Sequence, residues 1–137
     1  MRKALYKGKR KRDGVWIYGF YYIKKGKHFI LGNEYPDSDI QIAYMVISET
    51  VSEYTGMNDR FEVMVFEGDI ITLRYQQGHE YVVFWNEKTL AWCAKLLPWC
   101  AEKKETNIPL SDLQEYKTTL EHLGSKHDSP TFGDVYA

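Results

Sequence analysis

The sequence lacks the features that identify most cofactor-binding enzymes, membrane proteins and secreted proteins. No segment approaches the roughly 20 consecutive apolar residues of a membrane helix. The basic start of the chain is not followed by the apolar stretch of a secretory signal. There is no glycine-rich phosphate loop and no Gly-x-Ser-x-Gly nucleophile turn. These absences predict a cytoplasmic protein with no cofactor.

Cysteine and histidine are too few and too scattered to predict a metal site. Cys93 and Cys100 lack Cys-x-x-Cys spacing, and the apolar neighbours of Cys93 favour a buried free thiol. His122, His127 and Asp128 are close enough in sequence to bind a metal in principle, but structural or surface roles are the favoured interpretation. The remaining histidines are His28 and His79. We therefore expect no metal.

Charge is distributed unevenly along the chain. Residues 1–28 contain ten Lys or Arg and one acidic residue, whereas residues 29–137 contain eight basic and eighteen acidic residues. Such asymmetry suggests an anionic partner for the first part, or attraction between lobes or subunits. Since Lys and Arg neutralise phosphates and aromatic rings stack on bases, the aromatic-rich basic region is a candidate nucleic-acid interface. Its candidate residues are Lys7, Lys9, Arg10, Lys11, Arg12, Lys24 and Lys25. The alternatives are a solvated basic arm, and docking onto the acidic part of a neighbouring subunit.

Hydrophobic patterning indicates strands over most of the chain. Residues 15–23 form a continuous β-branched and aromatic run, and Lys25-Gly26-Lys27 predicts a tight turn into a return strand. Residues 39–46 alternate between apolar and other side chains with a period of two, as in a strand. Three later runs separated by turn residues predict a meander; they start near Ile70, Glu80 and Thr89. One helix signal follows, from Leu110 onward.

Glu67-Gly68-Asp69 places two carboxylates on either side of a glycine. Paired carboxylates can bind a metal or perform acid–base chemistry. The favoured interpretation is structural: Gly68 adopts a special backbone conformation, and Asp69 accepts hydrogen bonds from backbone N–H groups at the start of a strand. No catalytic group of residues is apparent, so the sequence predicts a binding protein and not an enzyme.

Two segments carry specific sequence motifs. The first contains Lys-Gly-Lys-Arg at residues 7–10 and Gly-Val-Trp-Ile-Tyr-Gly at residues 14–19. The second contains Tyr-Thr-Gly at residues 54–56 and Phe-Glu-Gly-Asp at residues 66–69. Both segments resemble the YopX family of phage and prophage proteins. Where the family carries Asn-Gly between these motifs, this chain has Phe61-Glu62, which disfavours a two-residue type I′ turn.

The resemblance spans nearly the whole chain and implies a mostly β fold, a phage or prophage origin and no established activity. It also implies a strand near residues 120–124. Together with the patterning, it predicts an all-β, mainly antiparallel protein with one short helix near residues 111–117. We expect a single domain over residues 1–137, in which an N-terminal hairpin lobe (1–58) packs on a small SH3-like or YopX-like barrel (59–137).

The functional prediction is a phage- or prophage-type accessory protein in the cytoplasm of a bacterial host cell. It would act by binding another protein of host or phage, or by assembling into a homo-oligomer. The alternative is a nucleic-acid-binding module that uses the basic, aromatic-rich N-terminal region. No membrane association is expected.

Overall fold

The computed structural model describes residues 5–73, 79–97, 107–113 and 120–128. These residues divide between two compact units, 1–54 and 55–137. The prediction from sequence placed the boundary between its two lobes four residues later. Both units are built from antiparallel strands, which confirms the predicted all-β class.

The first unit is formed by strands that neighbour each other in the order β4-β3-β2-β1-β5. Their ranges are β1 (Tyr6–Lys9), β2 (Trp16–Lys24), β3 (Lys27–Asn33), β4 (Ile42–Met45) and β5 (Ser52–Asn58). A single 3₁₀ turn, Ser48–Thr50, precedes β5. An isolated bridge between Arg10 and Val46 joins the residues that follow β1 and β4, so the sheet is curled. Strand β5 begins in this unit and ends in the second one.

The core of the first unit lies on one face of this sheet. It contains Ile17, Ile30 and Val46, against which Tyr6, Tyr21, Tyr44 and Val51 pack. Because side chains alternate along a strand, these core positions fix which residues of β2, β3 and β4 point away from the core.

The second unit contains the short β6 (Met64–Phe66), which neighbours the end of β5. Its main sheet has the strand order β10-β9-β8-β7-β11. The ranges are β7 (Asp69–Leu73), β8 (Glu80–Asn86), β9 (Ala91–Leu96), β10 (Asn107–Pro109) and β11 (Leu120–Ser125). The adjacent β7, β8 and β9 form the predicted meander, whereas the sheet as described does not close into a barrel.

The main core of the second unit lies on one face of the β7–β8–β9 meander. It includes Ile71, Leu73, Tyr81, Val83, Ala94, Leu96 and Leu120. A smaller cluster of Ile70, Val82 and Leu97 uses the alternate positions. Both faces of β7 are therefore covered, which explains its nearly continuous apolar sequence, whereas Lys95 on β9 is exposed on the second face.

A short helix, α1 (Leu110–Leu113), overlaps the predicted helix at residues 111–113. The remainder of that prediction, residues 114–117, lies outside the described residues, as do the turn predicted at Gln77-Gly78 and Cys100. The extended segment implied by the family resemblance is strand β11, which pairs with β7. No helix among the described residues has the length and apolarity needed to cross a bilayer.

Candidate interaction surface

Six side chains of β2, β3 and β4 form an apolar surface on the side of the first sheet away from its core. Tyr21, Ile30 and Tyr44 are cross-strand neighbours that face the core. The rows on either side of them therefore face outward. One row joins Phe20, Leu31 and Ala43, and the other joins Tyr22, Phe29 and Met45. We call these six residues the aromatic face.

Among the described residues, Phe20 and Ala43 are the exposed members of the aromatic face, and the other four are half-buried. Phe20 is 59% exposed, and the rings of Tyr22 and Phe29 are half-buried. The Tyr22 and Phe29 rings lie nearly parallel, with centroids 5.4 Å apart, and the Phe20 and Tyr22 centroids are 6.4 Å apart. The stacked rings cover only part of one another, so their remaining surfaces form a continuous apolar patch.

One end of the aromatic face is basic. Lys24 pairs with Lys27 across the β2–β3 hairpin, which leaves Lys25 and Gly26 as a two-residue turn. Both turn residues have positive φ, 52° and 75°, as a type I′ turn requires. Lys24, Lys25 and Lys27 are exposed and form no ion pair with any described residue. They give this end three unneutralised positive charges.

The other end of the aromatic face is acidic. The loop 34–41 joins β3 to β4 and contains Glu34, Asp37 and Asp39. Its base is held by Asn33, whose side-chain amide donates to the Ile40 carbonyl at 3.1 Å. Glu34 accepts a hydrogen bond from Arg10 at 3.1 Å, whereas Asp37 and Asp39 are exposed and unpaired among the described residues. The surface is therefore apolar at its centre and oppositely charged at its two ends.

The basic residues identified from the sequence lie in several different places. Lys7 and Lys9 project on the outward side of β1, where their ammonium groups lie 4.4 and 5.4 Å from the ring centroid of Trp16. Lys7 is buried. Lys11 and Arg12 are exposed in the turn after β1, and Lys24 and Lys25 lie at the β2–β3 turn. Lys24 and Lys25 border the aromatic face at the turn, and Lys11 and Arg12 lie beside its β4 edge, where the Lys11 backbone N–H donates to the Met45 carbonyl at 2.9 Å.

Arg10 is a buried structural cation. Its guanidinium donates two hydrogen bonds to the Asp13 carboxylate, at 2.9 and 2.7 Å, and lies 5.0 Å from the ring centroid of Tyr44. The hydrogen bonds from Arg10 lower the pKa of Asp13 to about 2, and the same bonds raise the pKa of Arg10. Sequence reasoning placed Arg10 in the basic cluster and did not pair it with Asp13 three residues later, and the contact with Glu34 joins residues 24 apart.

We expect Asp13→Asn to lower the melting temperature in a pH-dependent way. The pKa of Asp13 is lowered from 3.8 to about 2 in the folded protein, so its stabilising effect is present above about pH 4 and is lost as the pH falls through 2. Melting temperatures of wild type and variant should therefore converge on acidification. Asp37→Asn is the control, at an exposed carboxylate that pairs with no described residue. A difference between wild type and Asp13→Asn that does not change with pH would contradict this assignment.

Glu67-Gly68-Asp69 has the predicted structural role. Gly68 has φ 82°, and the buried Asp69 carboxylate accepts a hydrogen bond from the Phe66 backbone N–H at 2.8 Å. His122 Nε2 lies 2.9 Å from the same carboxylate oxygen. This contact was missed because the two residues are 53 positions apart.

Other candidates from the sequence do not come together as a site. Cys93 is a buried free thiol, as predicted. The described residues contain no group of three or more His, Cys, Asp or Glu arranged to hold a metal. His127 donates its backbone N–H to the Ser125 hydroxyl, and His122 contacts Asp69. Within the described ranges, the aromatic face is the strongest candidate surface for binding a partner.

The strand registers define an all-β protein of two antiparallel sheets. A family model described as YopX protein matches residues 8–132, which is nearly the whole chain. The chain belongs to the YopX family, and the resemblance in the two sequence motifs is confirmed. No curated protein matches the chain.

Proposed function

We propose that this YopX-family chain is a phage- or prophage-type accessory protein of the bacterial cytoplasm that acts through protein–protein contacts. Association of two copies through the aromatic face is the form that the geometry supports best. The observation that carries the proposal is the row of outward rings and aliphatic groups on β2, β3 and β4, with Phe20 59% exposed. Exposed apolar patches rimmed by polar residues mark interaction sites when they reach a few hundred Å².

The size of the aromatic face sets a requirement on any stable complex. Three strands about 4.8 Å apart, with two outward rows along them, span on the order of 200 Å². A standard interface buries about 800 Å² on each partner. The aromatic face would therefore supply the apolar centre of an interface, and the charged ends next to it would supply the rim.

Sedimentation velocity over a range of protein concentrations tests the proposal. Wild type is expected to associate with increasing concentration, and Phe20→Ser to weaken association by about tenfold or more, because burial of a phenylalanine contributes about 1.5–3 kcal/mol. Phe61→Ser is the matched control, since Phe61 is 65% exposed and lies in the second unit. A wild type that remains monomeric at both low and high salt would refute self-association.

Nucleic-acid binding is a second candidate function. Lys24, Lys25 and Lys27 border Phe20, Tyr22 and Phe29, which combines phosphate-neutralising charges with rings that can stack on bases. Of the other predicted basic residues, Arg10 would contribute less directly because Asp13 and Glu34 neutralise it, and Lys7 because it is buried.

Fluorescence anisotropy with a labelled single-stranded oligonucleotide of mixed sequence tests the second candidate. Binding should weaken as salt increases, and Lys24→Ala/Lys25→Ala should reduce both affinity and the salt dependence. Lys88→Ala, in the β8–β9 turn, is the control for general loss of charge. Absence of salt-dependent binding at high micromolar protein would remove this candidate.

A further inference from the structure

We infer that the second copy docks antiparallel on the aromatic face across a two-fold axis, so that the basic turn of each copy meets the acidic loop of the other. This inference rests on the proposed self-association and specifies its geometry. The interface would place aromatic face against aromatic face at the centre. Lys24, Lys25 and Lys27 of one copy would lie opposite Asp37 and Asp39 of the other.

The layout of the hairpin supports a two-fold arrangement. Strand β3 runs from Lys27 at the basic turn to Asn33 at the start of the acidic loop, seven residues in all. At about 3.3 Å per residue, the two charged ends are separated by about 20 Å. The outward residues Phe29 and Leu31 lie between them. A surface with opposite charges at its ends is self-complementary when a copy is turned end for end.

The charges at the two ends are available to a partner. Lys24, Lys25, Lys27, Asp37 and Asp39 are exposed and form no ion pair with a described residue. Glu34 is different, because Arg10 already holds its carboxylate. The inferred contacts therefore use only charges that no described residue neutralises, and a two-fold axis forms each contact twice.

The parallel arrangement is disfavoured by the same charges. If the two copies lay in the same direction, the three lysines of each turn would face one another, and so would Asp37 and Asp39. Opposed like charges reduce association and select against the wrong arrangement. Docking of the basic turn onto the second unit of another copy is a competing geometry, because residues 55–137 contain thirteen acidic and eight basic residues.

Charge reversal distinguishes these geometries. One variant, Lys24→Glu/Lys27→Glu, makes both ends of the face acidic. The other, Asp37→Lys/Asp39→Lys, makes both ends basic. Each variant alone is expected to associate at least about tenfold more weakly than wild type, because like charges then meet at both ends of its homodimer. Mixed in equal amounts, the two should form a heterodimer, since every contact then joins opposite charges.

Native mass spectrometry and sedimentation velocity read out the mixture, because the two variants differ in mass. The variant carrying all four substitutions should recover the wild-type homodimer. Lys88→Glu, an exposed charge in the β8–β9 turn, is the control and should leave association unchanged. Far-ultraviolet circular dichroism confirms that each variant retains the β fold.

The outcomes separate the inferred geometry from the proposed function. A wild type that is monomeric overturns both. A wild type that associates, together with reversal variants that associate equally well alone, overturns the two-fold geometry and leaves self-association standing. Weakened single variants that fail to pair with each other also overturn it. A loss confined to Lys24→Glu/Lys27→Glu, with Asp37→Lys/Asp39→Lys associating as wild type does, overturns it too and favours docking of the basic turn on a different acidic surface.

Discussion

Replacing Gly32 with alanine is expected to destabilise the protein by about 3 kcal/mol or more, at the upper end for a small-to-large substitution. Gly32 on β3 lies opposite Gly19 on β2. A Cβ atom at Gly32 would lie 1.8 Å from the Tyr18 carbonyl oxygen and 2.9 Å from the Gly19 Cα. Both obstacles are backbone atoms, so a side-chain rotation cannot relieve the clash. The two central strands of the first sheet would have to separate.

Gly8→Ala is the matched control for this prediction. Its Cβ would lie 3.0 Å from Ile30 Cδ1, the far end of a flexible side chain, and 3.3 Å from Val46 Cβ. Small repacking accommodates such a contact, so we expect a cost of about 1 kcal/mol. Urea denaturation of wild type and the two variants measures the difference. Equal midpoints for Gly32→Ala and wild type would show that β2 and β3 do not approach as closely as described.

The strands of the first unit were predictable because their signals are local. The run at residues 15–23 is β-branched and aromatic, and Lys25-Gly26 supplies the positive φ values of a two-residue turn. Such signals specify a hairpin but not its outward face. Phe20 and Tyr22 alternate with Tyr21, and all three are aromatic, so a period of two does not reveal which ones the core covers. The aromatic face became visible only with the cross-strand register.

The side-chain contacts missed from sequence are long-range. Arg10 belongs to a basic cluster in the sequence, but its environment is set by Glu34 and by the Tyr44 ring. His122 contacts Asp69, which lies 53 residues earlier. The turn between β5 and β6 agrees with the sequence only in part. The sequence disfavours positive φ at both Phe61 and Glu62, and of these two residues Glu62 adopts it, with φ 64°. Sequence spacing carries no information on which distant groups stabilise such a residue.

Asp59→Ala is expected to destabilise the second unit by about 3–5 kcal/mol. The Asp59 side chain is 1% exposed. Its Oδ1 atom accepts hydrogen bonds from the Phe61 and Val63 backbone N–H groups at 2.8 and 2.9 Å, and Oδ2 accepts one from the His122 N–H at 3.0 Å. Alanine would leave three backbone N–H donors without their acceptor. Two of them lie in the turn that holds Glu62 at positive φ, and the third lies on strand β11.

Asp59→Asn separates the hydrogen bonds that Asp59 accepts within the turn from the one that it accepts from β11. Its amide oxygen can still accept from Phe61 and Val63, but its NH₂ group would face the His122 N–H donor. We therefore expect an intermediate loss of unfolding free energy, and a loss of less than about 0.5 kcal/mol for Asp37→Ala at an exposed carboxylate. Hydrogen exchange of the Phe61, Val63 and His122 amides reports the site directly. Because each amide loses a specific acceptor, Asp59→Asn should accelerate exchange at His122 more than at Val63. Equal stability of Asp59→Ala and Asp37→Ala would show that the carboxylate does not join the turn to β11.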